Sequence, residues 1–481
     1  MFWKRISLLK VSISAFILTV LLVIFFWKIY PMFLFASIAK GTFVALDIFI
    51  IIFGAIFFLE ILRRARVIDS LSYYLGSISK DYRVQIILLA WFFENFIEGT
   101  AGFGTPAAVV APLLVVLGLT PLKAVIVGLL GNSTSVTFGA AGTPIRVGMA
   151  GIDISGVAFS AALINIIGFI VPIFMLWVIT RGKEESKKEF LEALPFAVWS
   201  GIAFVVPSLL TVSLGQEFPS ILGAVIGVGL VLITSKLGIF MPKHVRPSGK
   251  AAYSGEVLHL GKVLFPYGLL IVLLFLGKFA VGAAGIPVYF GISHTFNFYN
   301  PGFAFLLASI PSILFLIKKP APAQKIFEIS FSRTWEPFLV IAAMSSLVQL
   351  MIYSNQNSSG LSSLLTYISG VLNTKLLPLI TPFIGALGSF LTGSATVSNI
   401  MFGKILAAAS AIQGLPISKI LALQLTGAAA GNIIALADIL SAEAVVGLKE
   451  KTREVLKGVL LPCLIYLFLV GLIGLFLVRT F

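Results

Sequence analysis

Long apolar runs separated by short basic loops set the rhythm of this chain. The runs fall at about 11–27, 42–62, 157–180, 194–214, 220–240, 263–281, 302–317, 337–353 and 456–478, most of them near the ~20 residues a membrane-crossing helix needs. A shorter run at 361–372 is too short to cross upright and reads as interfacial. Residues 84–97 and 381–391 enter two stretches that break the pattern, 98–144 and 385–447, where Gly, Thr, Ser, Asn and Pro replace bulky apolar residues. In hydrocarbon an unpaired backbone N–H or C=O costs several kcal/mol, so interrupted helices survive only inside protein or beside a watery cavity. Close helix packing also favours small residues, so no single glycine or serine decides between packing and a site.

The interruption occurs twice with similar spacing. From Gly99 to Gly118 is 19 residues, and from Gly393 to Gly414 is 21; the next step, to Gly131 and to Gly427, is 13 in both copies. Paired interruptions at corresponding positions of two halves point to the binding site of a secondary transporter. The expected fold is therefore an all-α polytopic membrane protein. The expected organisation is an N-terminal half, 1–317, holding the first site repeat at about 90–155. A basic, proline-containing linker over 318–336 leads to a C-terminal half, 337–481, with the second repeat at about 385–450.

Composition agrees with that class and removes others. Of 481 residues, 59% are hydrophobic and only 11% charged, against about a quarter in soluble domains. The net charge of +15 lies in short loops rather than on a basic–aromatic face, which sets nucleic acid aside. Those loops (63–66, 181–189, 241–262 and 318–325) are expected in the cytoplasm with the N-terminus, the first run being a retained span and not a cleaved leader. One cysteine, Cys463, allows no intrachain disulfide; three histidines without metal-ligand spacing, and no G-x-S-x-G or H-E-x-x-H, argue against an enzyme, a metal or a cofactor.

The motifs themselves resemble one family. F-I-E-G-T-A-G-F-G-T-P at 96–106, N-S-T-S-V-T-F-G-A-A-G-T-P-I at 132–145, G-I-D at 151–153, F-L-T-G-S-A-T-V-S-N-x-x-F-G at 390–403 and G-x-x-x-G-N at 427–432 are similar to the lactate permease family. The resemblance is strongest over 90–155 and 385–450. It implies uptake or exchange of L-lactate, glycolate and related 2-hydroxy monocarboxylates with protons. It also implies two inverted repeats, each with a re-entrant hairpin and a broken transmembrane helix, moving as an elevator. Three positions depart from the family pattern. Ala395 stands where it has an acid, I-I-A-L-A-D at 433–438 replaces a more polar run, and Arg146 replaces an apolar residue.

A small carboxylate at the membrane midplane needs donors, and half-helix N-termini supply free N–H groups and a positive dipole end. Candidate substrate contacts are Gly102, Phe103, Gly104, Thr105, Asn132, Ser133, Thr134 and Arg146 in the first copy. In the second they are Gly393, Ser394, Thr396, Ser398, Asn399, Gly431 and Asn432. Each hydroxyl could instead bond back to its own helix. Charged residues inside spans are functional hypotheses by default. Glu98 matches the family's glutamate and is the candidate proton carrier, with Asp438 a replacement in the second copy. Arg146 would pair either the substrate carboxylate or Glu98. The expected function is proton-coupled symport of a 2-hydroxy monocarboxylate across the plasma membrane. The alternatives are a carrier of another small anion, a Na⁺-coupled carrier, or an anion channel. The partners are substrate, proton and bilayer; the oligomeric state stays open, a homodimer among the options. If the breaks form one site, 102–106 and 393–399 should face each other.

Overall fold

The computed structural model describes residues 7–102, 105–182, 184–247, 257–282, 284–317 and 323–480. Among these, ten helices are long and apolar enough to cross a membrane, or eleven if one bent pair is counted as a span. Their boundaries follow the apolar runs, with three differences. The second helix is much longer than its apolar core, running Pro31–Arg64, because Pro31 starts it and the segment 31–42 is itself largely apolar. Residues 318–322 of the expected linker lie outside the described residues, and from Ala323 the chain is already helical to Tyr353. Between Leu260–Val281 and Pro301–Leu316 stands a β-hairpin, strands Gly285–Tyr289 and Ser293–Asn297, which the hydrophobic pattern did not predict.

The helices sort into an outer layer and a buried centre. Leu8–Phe25 is mostly exposed, with Ile17, Leu18, Leu21 and Phe25 turned outward as lipid-facing residues would be. Pro31–Arg64 packs along Ala323–Tyr353 so closely that a Cβ on Gly41 would sit 2.3 Å from the Ser346 nitrogen. That approach is what small residues permit between helices in lipid.

Two helical hairpins fill the centre. The first enters as Tyr82–Ile87, continues through a π-helical turn at Leu88–Phe93 into Glu94–Thr100, and returns as Thr105–Val116. Helix Pro121–Gly131 follows and bends by 50° into the segment Ser135–Arg146. The second hairpin is Leu377–Thr392 and Ala395–Ile412, followed by Ile417–Gly431, a 3-10 turn at Asn432–Ile434, and Leu436–Val445. Residues 361–372 form only the short helix Leu364–Val371.

The base of the first hairpin is pinned by charge. Arg83 is fully buried, yet its guanidinium meets both Asp81 oxygens at 2.7 and 3.0 Å, the Glu189 carbonyl at 2.8 Å and the His244 carbonyl at 2.9 Å. A buried cation is tolerable when this thoroughly hydrogen-bonded, and removing its partners would be costly. Arg246 extends the network to Glu189 at 3.1 Å and to Glu185, whose carboxyl it holds below the usual carboxylate range.

Candidate functional site

The first break is made by backbone that cannot stay helical. Ala140, Ala141 and Gly142 have φ of 41°, 52° and 76°, three consecutive left-handed residues. For the two alanines that conformation costs roughly 1–2 kcal/mol each. The freed carbonyls are met from neighbouring helices: Asn165 Nδ2 donates to the Thr134 oxygen at 3.2 Å and Ser220 Oγ to the Ser135 oxygen at 2.7 Å. Tyr466 in the terminal helix donates to Asn165 Oδ1 at 3.2 Å, which fixes the amide's orientation. This is how irregular backbone persists at membrane depth.

The acids are left differently. Glu94 is wholly buried and neither carboxylate oxygen has a hydrogen-bond partner among the described residues. It packs against the helix Pro121–Gly131, where a Cβ on Gly131 would lie 2.7 Å from its Oε2 and 1.7 Å from the Ala90 carbonyl. One turn on, Glu98 lies within electrostatic reach of the Asn132 side chain, while its Oε2 has no partner among the described residues. Glu98 Oε1 lies against Gly139 and Gly102, 2.2 and 3.2 Å from where their Cβ atoms would be. Only glycine at 139 allows that approach. Asn132 Oδ1, Ser135 Oγ and Thr137 Oγ1 are also buried and unpartnered.

In the second break several polar groups are tied to backbone, while Ser389 Oγ, Thr426 Oγ1, Asn399 Oδ1 and Asn432 Oδ1 have no partner among the described residues. Gly393 turns the chain with φ 70°, and Ser394 caps the next helix, accepting from the Val397 N–H at 3.3 Å. Ser398 donates to the Gly385 carbonyl at 2.8 Å, within its own hairpin. Asn399 Nδ2 donates to the Pro144 carbonyl at 2.8 Å, a bond that joins the two breaks across 255 residues. A Cβ on Gly431 would meet the Ala386 backbone at 2.5 Å, so that residue serves helix packing.

The breaks meet around one small cavity of about 20 Å³, walled by Glu98, Gly139 and Thr143 on one side and by Gly393, Ser394 and Thr396 on the other, with Asn432. It has room for about a single water, so a carboxylate requires the two breaks to part. Of the sequence candidates, Glu98, Gly393, Ser394, Thr396 and Asn432 line this cavity. Asn132 and Gly102 touch Glu98 behind it, and Asn399 ties its wall. Thr134 faces a different small cavity, with Asn165 and Ser220, and Ser133 lies within 3.5 Å of the Thr134 hydroxyl. Phe103 and Gly104 lie outside the described residues, as does the Thr105 side chain. Asp438 is buried within electrostatic reach of Glu98, one oxygen unpartnered. Thr143, missed in the sequence, was hidden by the G-T-P context that reads as a helix start.

Arg146 is elsewhere. Its guanidinium donates to Glu217 at 3.3 Å and to the Tyr299 carbonyl at 2.6 Å, and lies 4.5 Å from the centre of the Tyr299 ring. Its partner is thus neither Glu98 nor a group at the breaks. Glu217, almost fully buried, takes a second cation, Lys278, at 2.6 Å.

Two interrupted helices that meet inside a shell of apolar spans, around a buried acid, define a polytopic membrane transporter. The chain belongs to the L-lactate permease family, whose model matches residues 1–290 and 284–481. It is 28% identical to the putative L-lactate permease of Haemophilus influenzae, covering 90% of this chain and 87% of that protein. It is likewise 28% identical to the glycolate permease GlcA of Escherichia coli K12, over 95% and 90% of the two chains. Its fold is similar to that of the Alcanivorax borkumensis YdaH transporter, with a TM-score of 0.55 at 12% identity over 99% of both chains. The Neisseria gonorrhoeae MtrF structure is comparably similar, with a TM-score of 0.54 at 14% identity over 99% of this chain and 96% of that one.

Proposed function

We propose that this protein carries a small 2-hydroxy monocarboxylate, L-lactate or glycolate, across the plasma membrane in symport with a proton. Relatives matched over nearly their whole length are named for those two substrates. The observation that carries the mechanism is Glu98, which lines the cavity between the breaks with one carboxylate oxygen unpartnered. An ionised carboxylate buried without a partner costs several kcal/mol, so its proton occupancy becomes tied to whether the site is closed or open. The substrate carboxylate would take the Ser394–Thr396 backbone N–H groups at the start of a half-helix, and its 2-hydroxyl the Thr143 and Asn432 side chains.

The proposed topology puts the N-terminus and the loops 63–66, 181–189 and 241–262 in the cytoplasm, and the β-hairpin outside. The two inverted repeats and the division at the 318–336 segment belong to the same reading. Purified protein in liposomes with imposed gradients tests it. An inward proton gradient should accumulate L-lactate severalfold above the gradient-free level, and a Na⁺ gradient should not. Accumulation driven by Na⁺ alone would overturn the proton reading, and no uptake of L-lactate or glycolate under either gradient would overturn the substrate.

A further inference from the structure

A second, larger cavity of about 310 Å³ lies one helical turn beyond the breaks, at the end of the molecule that carries the β-hairpin. The segment Gly139–Arg146 connects the two: its Gly139, Thr143 and Pro144 wall the small cavity, and Arg146 and the following Val147 wall the large one. Across the large cavity stand Lys40 and Asp47 of Pro31–Arg64, His294 of the hairpin, and Gln349 of Ala323–Tyr353. Lys404 reaches its edge, donating to the carbonyl of the lining residue Gly151 at 3.3 Å.

The charges do not balance. Asp47 is met by His294 at 3.1 Å, and Glu217 by both Arg146 and Lys278. Lys40 and Lys404 have no carboxylate partner among the described residues; Lys40 only approaches the Tyr353 ring, at 5.8 Å. Of the residues that line the cavity, Lys40 and Arg146 are cationic and Asp47 anionic; Arg146 shares Glu217 with Lys278 behind the wall, and Lys404 adds a further ammonium at the edge. Asp153, nearby in sequence, is exposed and accepts from the Ser155 N–H at 2.9 Å. Gln349 is buried with its Oε1 unpartnered, a polar group held at the cavity wall without a bond to its neighbours. A concave, low-dielectric surface with excess positive charge concentrates small anions from solution.

We propose that this cavity is a distinct anion-binding vestibule, in which Lys40 and Lys404 capture a small carboxylate before it passes between the breaks. It rests on the transport reading above for the identity of the carboxylate, but not for the capture itself. The closed inner site then makes sense as the second station. The Asn399–Pro144 bond and the contact of Gly148 with Asn399 and Thr396 separate the two cavities.

The test uses the whole protein in liposomes, with Cys463→Ala removing the native thiol and Ser293→Cys placing one on the cavity wall. The rate of modification by an anionic methanethiosulfonate (sulfonatoethyl) is compared with that by its cationic trimethylammonium counterpart. If the vestibule gathers anions, the anionic-to-cationic rate ratio should fall about tenfold or more when Lys40→Gln and Lys404→Gln are added. L-lactate at tens of millimolar should slow the anionic reagent severalfold with the lysines present and not without them. An unchanged ratio on removing the lysines, or no protection by L-lactate, glycolate or acetate, would overturn the proposal. Protection by acetate but not by L-lactate or glycolate would uphold the vestibule and count against the substrate assigned above. Thr295→Cys provides the same readout from a second position should Ser293→Cys fold poorly.

Discussion

The two breaks share their spacing and differ in their chemistry. The first bends by 50° between Gly131 and Ser135, turns again through three left-handed residues, and holds two buried carboxyl groups of which both Glu94 oxygens and Glu98 Oε2 have no partner among the described residues. The second turns on a single glycine, and its broken helix runs on as one candidate span, Ile417–Val445, through a 3-10 turn. Thr392, Ser394, Ser398 and the Asn399 amide nitrogen are engaged with backbone groups, while Asn399 Oδ1, Asn432 Oδ1 and one Asp438 oxygen have no partner among the described residues. The first contributes Glu94 and Glu98 to the buried centre, and the second contributes Asp438 and the surface that closes on Glu98, while the close helix packing around the two breaks is alike.

That shared packing predicts the largest effect. Gly131 and Gly427 occupy equivalent places, and a Cβ would fall 1.7 Å from the Ala90 carbonyl in one and 2.1 Å from the Pro382 carbonyl in the other. Backbone cannot yield as a side-chain tip can, so Gly131→Ala and Gly427→Ala should each cost about 3 kcal/mol or more. Recovery of monodisperse protein in detergent should fall at least about fivefold for both. Damage to one and not the other would break the equivalence of the repeats.

A smaller effect separates bonds across the breaks from bonds within them. Asn399→Ala removes the bond to the Pro144 carbonyl that joins the repeats, and the KM for carboxylate should rise by roughly five- to tenfold. Ser398→Ala removes a bond to Gly385 inside the second hairpin. It should lower stability by about 1 kcal/mol and leave KM within about twofold. Equal shifts in KM would mean that Asn399 is packing like its neighbour.

How much of this could be read in the sequence follows from range. The interruptions, their duplication and the apolar spans are local patterns, so they were legible, as was Glu98 beside its glycines. Glu217 was not: Q-E-F-P reads as a turn, and its cations Arg146 and Lys278 are 71 and 61 residues away. Arg83 likewise finds its carbonyl partners, Glu189 and His244, 106 and 161 residues on. The β-hairpin was missed because five-residue strands with exposed apolar positions, such as Ile286 and Tyr289, carry no clean alternation. The engagement of Ser398 and Asn399, as against the open valences of Glu94 and Glu98, depends on tertiary contacts that spacing cannot convey.

The smallest expected effect concerns the base of the first hairpin, which has an ion network with no counterpart at the second among the described residues. Because Arg246 holds the Glu185 carboxyl below its usual range, the pair contributes at neutral pH, and the contribution is lost as pH falls through that lowered value. Both groups are near the surface, so the effect is small. Arg246→Gln should lower the melting temperature in detergent by a few degrees at pH 7. The difference from the parent should shrink as pH falls below about 4.

Glu98 in the first break is the proton carrier on this reading, and the second break carries none. Glu98→Gln measured in two modes decides it. Uptake of L-lactate driven by a pH gradient should collapse by at least about tenfold, while L-lactate exchange at equal pH on both sides stays within about threefold of the parent. Equal loss of both modes would make Glu98 a structural or substrate-binding residue, and an intact response to the pH gradient would contradict the claim outright.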